Sequence, residues 1–152
     1  RMNGLLKGQF CKLGEGSLQK WRDHLSTIKP YVATNTIVYW EIKQGALAPY
    51  RATPESAGLD LHALQDCRVN VHDVQFIETG IGVQIPPEHF GLIAPHSGLA
   101  LKGIQVLGGV IDAYYQGEIK VILKNNGSSD LIVHAGDRIA QLLIISIYGG
   151  KV

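Results

Sequence analysis

Charge is scarce in this sequence. Only 18% of its 152 residues are Asp, Glu, Lys or Arg, and the formal net charge is +1. The charge present is unevenly placed: residues 1–45 carry seven basic and three acidic side chains, whereas 46–152 carry seven and ten, a net −3. A segment of that sign has no basic face with which to coat a nucleic-acid backbone. Cysteine is nearly absent: Cys11 and Cys67 form no Cys-x-x-Cys pair and no His/Cys cluster, which argues against zinc. So few cysteines suit a reducing compartment. His62, His72, His89 and His134 lack metal-ligand spacing and read as ordinary polar or half-buried residues. No apolar run approaches the roughly 18 residues of a membrane-spanning helix, nor is there the apolar stretch of a secretory signal. No Gly-x-Ser-x-Gly surrounds any serine, which removes the usual setting of a serine nucleophile. The opening Arg1-Met2 is expected to reflect processing, a tag remnant or trimming.

What the sequence does contain is 45% hydrophobic residues and eighteen glycines, distributed among short apolar runs. That combination predicts an all-β domain with tight turns. Two segments are expected. Residues 1–34 form an extension, with a mobile stretch over 1–16 and a short amphipathic helix over 17–29. Leu18, Trp21, Leu25 and Ile28 fall at helical spacing there, between a Ser17 cap and Pro30. Residues 35–152 form the β domain. Its predicted strands are Thr36–Ile42, Ala57–Ala63, Arg68–Val71, Asp73–Ile81, Gly82–Ile85, His89–Pro95 and Leu142–Ile147. Their cadence fits a sandwich or barrel.

The stretch Gly108–Lys124, GGVIDAYYQGEIKVILK, carries most of the chemistry. An apolar run, a polar turn with glycine and a period-2 strand predict a β-hairpin. Asp112 in that turn is either a structural turn residue bonding its own backbone or a carboxylate placed to activate a water. Asp60, between Leu59 and Leu61, points away from them, either into solvent or into a site. Ser97-Gly98 follows a strand and is either a plain turn or a small anion nest. Gln141 sits among apolar residues, and its amide needs partners in the backbone or a ligand.

Taken together, AGLDLHA (57–63), PHSGLA (95–100), GGVIDAYYQGEIKV (108–121) and GDRIAQLL (136–143) resemble the ordered motifs of the trimeric dUTPases. The resemblance runs from about Thr36 to Ile147. It implies a β-barrel or jelly-roll-type domain that hydrolyses dUTP to dUMP and pyrophosphate. The phrase RATPESAGLDL and the short gap between the Ser97 and Asp112 motifs look most like the retroviral branch. Three features depart from the pattern. His96 stands where the family usually has Arg, Gln116 stands where many members have Arg, and the Gly-rich C-terminal arm is not found before Val152.

The resemblance implies a role for each candidate residue. Asp112 would be the general base for a water attacking the α-phosphorus. Tyr115 would lie against the deoxyribose and exclude a 2′-hydroxyl. The backbone of Gly109, Val110 and Ile111, with that of Lys120, would pair with the uracil edge and reject the 5-methyl of thymine. Ser97 and the Gly98 N–H would hold phosphate oxygens beside His96, and Gln141 would contact phosphate or its waters. Mg²⁺ would ride on the triphosphate, with Asp60 ordering one of its waters. The implied assembly is a homotrimer with shared sites, with no nucleic acid bound by the core domain and no membrane partner, inside the cell in cytoplasm or nucleus, or in a virion if retroviral. Two rivals stand: the related dCTP deaminase, and a non-catalytic dUTPase-like module that binds nucleotide or protein.

Overall fold

The computed structural model describes residues 10–12 and 37–152. In chain order the strands are β1 (Phe10–Lys12), β2 (Ile37–Glu41), β3 (Leu59–His62), β4 (Cys67–Val69), β5 (Val74–Glu78), β6 (Ile81–Gln84) and β7 (His89–Ala94). After these come β8 (Ile104–Leu107), β9 (Val110–Ile111), β10 (Lys120–Asn125), β11 (Leu131–Val133) and β12 (Arg138–Ser146). The single helix among the described residues, α1, is the five-residue Ser97–Leu101. The predicted all-β, jelly-roll-type domain is what the chain forms. Residues 10–12 pair in parallel with β2, Phe10 beside Ile37. The predicted helix over 17–29 lies outside the described residues.

Four sheets with strand orders β1-β2-β6, β5-β10-β8, β11-β4 and β3-β12-β7-β9 enclose one core. Alternation builds it. On β10, Val121, Leu123 and Asn125 point in while Lys120 and Ile122 point out. Leu59, Leu61, Ile81, Val83, Ile85, Ile119, Ile139 and Leu142 are among the side chains buried with them. Burial of such side chains is worth about 1.5–3 kcal/mol each before the loss of chain entropy is subtracted. Asn125, fully buried, donates through Nδ2 to the carbonyls of Val69 (3.0 Å) and Ser129 (2.9 Å), so its amide is not left unpaired in the core.

The predicted hairpin between 110–111 and 119–124 does not form. β9 pairs with β7, Ile111 opposite Gly91, whereas β10 lies between β5 and β8. Gly108 and Gly109, at φ +65° and +101°, turn the chain into β9. Ile119, Val121 and Leu123 are drawn into the core from a different sheet. The segment 112–119 is thus a crossing between sheets rather than a hairpin turn.

Candidate active site

The crossing segment forms one wall of a hollow of about 300 Å³, lined by Val110, Ile111, Asp112, Tyr114, Tyr115, Glu118 and Lys120. Asp112 is exposed at its rim. The backbone N–H of Tyr115 donates to the Asp112 carbonyl at 3.0 Å, which closes the turn. The neighbouring Asp112 carboxylate pushes the Tyr114 phenol above its ordinary pKa. Tyr115 is fixed differently: its hydroxyl donates to the Glu118 carbonyl at 2.6 Å. Its ring lies over Gly117, where an added Cβ would stand 2.6 Å from the Tyr115 oxygen. Gly117 is therefore required by the ring's placement. At the floor, Glu118 is an 8%-exposed carboxylate held by the Gly80 N–H (2.9 Å) and by Lys43 (3.2 Å). Lys43 also pairs with Glu78, which raises the Lys43 pKa and lowers that of Glu78. The Lys120 ammonium lies 4.9 Å above the Phe76 ring.

A second cluster gathers at the other end of β7. Gln141 pairs with Ala94 on one side and Asp60 on the other. Its Nε2 donates to the Pro95 carbonyl at 3.1 Å, and its side chain packs onto Gly58, where a Cβ would meet Oε1 at 2.2 Å. Asp60 is buried, 8% exposed, and faces the His96 imidazole and the Arg138 guanidinium rather than open solvent. His96 Nε2 is 3.5 Å from Oδ1 and Arg138 is 3.6 Å from Oδ2. His96 Nε2 also sits 2.8 Å from the Ala140 carbonyl, which sets the N–H on that nitrogen. Burial first, and the Arg138 charge second, hold the His96 imidazole below its ordinary pKa. Ser97 and Gly98 open α1 rather than a plain turn. A first helical turn leaves N–H groups without intrahelical acceptors, and a Cβ at Gly98 would meet nothing within 4 Å, so the backbone is open to approach.

Of the predicted residues, the structure brings Asp112, Tyr115, Val110, Ile111 and Lys120 together at the hollow, with Gly109 just before it. It brings Asp60, His96 and Gln141 together elsewhere, beside Ser97 and Gly98. Phe90 and Ala94, which mark the two ends of β7 nearest these clusters, are four strand residues apart, roughly 13 Å. Two participants are not evident from the sequence. Arg138, with its side chain 54% exposed, stands within GDRIAQLL but carries no signal until β12 lies beside β3. Gln84 reads as a buried strand residue until its partners are seen.

A family model described as dUTPase matches residues 44–150. The chain belongs to the dUTPase family. A deoxyuridine 5′-triphosphate nucleotidohydrolase of vaccinia virus (strain Copenhagen) is 48% identical over 103 residues, 68% of this chain and 70% of that protein. The one of monkeypox virus is also 48% identical, over 68% of each chain. Among solved structures, native EIAV dUTPase superposes with a TM-score of 0.68 at 32% identity, covering 76% of this chain and 92% of its own. A mutant dUTPase from phage phi11 of S. aureus, whose structure shows the coordination of a structural Mg(II) ion, gives a TM-score of 0.73 at 23% identity. That match covers 78% of this chain and 95% of the phage protein, and it concerns the fold.

Among the described residues no three His, Cys, Asp or Glu side chains gather as a metal cage. The donor set beside Ser97 is one carboxylate, Asp60. That chemistry fits a hard cation that arrives with phosphate oxygens and keeps its waters, not one held by the protein alone.

Proposed function

We propose that this dUTPase-family chain hydrolyses dUTP to dUMP and pyrophosphate. Asp112 takes a proton from the water that attacks the α-phosphorus in line, and pyrophosphate leaves. The observation that carries this reading is Asp112 at the rim of a hollow whose Tyr115 ring is already locked by Glu118 and seated on Gly117. A positioned carboxylate is a weak base at neutral pH, so geometry supplies the advantage. The fixed ring excludes a 2′-hydroxyl, and the backbone at Gly109–Ile111 and Lys120 reads the uracil edge. Ser97, Gly98 and Gln141 hold phosphate oxygens. His96 is uncharged at neutral pH, so Arg138 supplies the standing positive charge on that side. Mg²⁺ arriving with the triphosphate would supply charge neutralisation, and Asp60 would hold one of its waters.

Because the two clusters occupy opposite ends of β7, a complete site takes the Asp112 hollow from one copy and the Ser97–Gln141 corner from another, within a homotrimer. The retroviral placement rests on RATPESAGLDL and motif spacing. The setting we propose is cytoplasm, nucleus or virion, where Cys67, a free thiol, stays reduced. Asp112→Asn should lower pyrophosphate release from dUTP with Mg²⁺ by about 10²–10⁴-fold while dUTP still binds. Turnover within threefold of the parent removes Asp112 from the mechanism, and a parent that binds dUTP without turnover is a nucleotide-binding module.

A further inference from the structure

One buried amide stands beneath the Asp112 turn. Gln84 ends β6 and is 3% exposed. Its Nε2 donates to the Ala113 carbonyl at 2.9 Å and to the Ile85 carbonyl at 3.0 Å. Its Oε1 accepts from Gln116 Nε2 at 3.0 Å. Two carbonyls on one side and an N–H donor on the other leave only one orientation of the amide that satisfies all three. Gln84 therefore grips Ala113, the residue after Asp112, and Gln116, the residue after Tyr115. Other hydrogen bonds of the turn join its own neighbours: Tyr115 N–H to the Asp112 carbonyl and the Tyr115 hydroxyl to the Glu118 carbonyl. Ile111 and Ala113 pack against the core on either side, but the Asp112 side chain itself is exposed and is not held by packing.

We propose that Gln84 is the positioning residue of the hydrolysis: its amide clamps both sides of the 112–116 turn and so fixes where the Asp112 carboxylate and the Tyr115 ring stand. A general base must be held within a fraction of an ångström of its productive place. An exposed crossing between two sheets cannot do that unaided, because ordering it costs chain entropy. A buried amide with its partners in place is a rigid anchor. The inference rests on the reading of Asp112 as the base.

Gln84→Met keeps the volume and removes the amide's hydrogen bonds. It should lower kcat for dUTP ten- to hundredfold with KM changed less than threefold. It should also speed exchange of the Tyr115 amide, which closes the turn, at least tenfold while β10 and β12 keep their protection. Gln116→Met, which removes one of these bonds, should show the same signature at smaller size, with kcat down at least threefold. A folded Gln84→Met with kcat within twofold of the parent, or with unchanged Tyr115 exchange, overturns the proposal. If Gln84→Met does not fold, Gln116→Met decides, with kcat within twofold as the overturning result. Tyr115 exchange is read without substrate, so it tests the clamp even if Asp112→Asn shows that the base lies elsewhere.

Discussion

His96 shows how much a residue's behaviour depends on what the fold puts beside it. As a free side chain it would titrate near pH 6.5. Here Arg138, Asp60, His62 and the Ala140 carbonyl surround it, and burial is the largest influence, lowering its pKa. His62 is lowered for the same leading reason, and its Nδ1 is buried without a hydrogen-bond partner. A depressed imidazole pKa means that the folded chain binds fewer protons than the unfolded one around and below pH 6.5. Stability is then complete above that value and declines as pH falls below it. Calorimetric Tm should accordingly be flat from about pH 8 to 7 and drop between about 6.5 and 5, with a shallower drop in His96→Gln. Identical slopes for the two proteins would mean that His96 titrates alike in the folded and unfolded chain.

At the scale of elements, the decisive piece is the glycine pair that launches β9. Gly109 has φ +101°, its carbonyl accepts from the Ile93 N–H at 2.8 Å, and a Cβ there would lie 2.9 Å from the Ile93 carbonyl oxygen. Backbone, unlike a side-chain tip, cannot swing aside. Gly109→Ala should therefore cost about 1–3 kcal/mol from left-handed strain alone, with the clash in addition. Gly98→Ala, in open space within α1, should stay within about 0.5 kcal/mol of the parent. Urea unfolding of the two variants checks this, and equal stabilities would show that β9 tolerates a side chain at its entry. The same pair explains why the expected hairpin fails. The 112–117 segment does turn, as its residues predict, but a turn does not say which strands it joins.

At the scale of the whole molecule, the proposed shared-site reading makes one chain the holder of two half-sites rather than of a complete site. Light scattering should give about three times the 16.5 kDa chain mass. Asp112→Asn and Ser97→Ala, each inactive alone, should regain turnover when unfolded and refolded together, because mixed trimers contain interfaces with both residues intact. A fully active monomer, or a mixture no more active than its parts, would contradict sharing.

The sequence by itself determined the β class, most strand positions and the identity of the candidate residues. Period-2 alternation, glycine turns and the four motifs are local, and local patterns are readable along a chain. β8 and β11, each with one buried side chain, are not among the predicted strands. Only the tertiary structure decided the partners: that β9 joins β7 instead of β10, that Arg138 and His96 converge on Asp60, that Gln84 reaches under Ala113 and Gln116, and that Asp112 and Ser97 lie at opposite ends of one strand. Those facts depend on which distant strands pair, and pairing is set by burying Ile119, Val121 and Leu123 against residues far away in the chain, a choice that no local stretch contains.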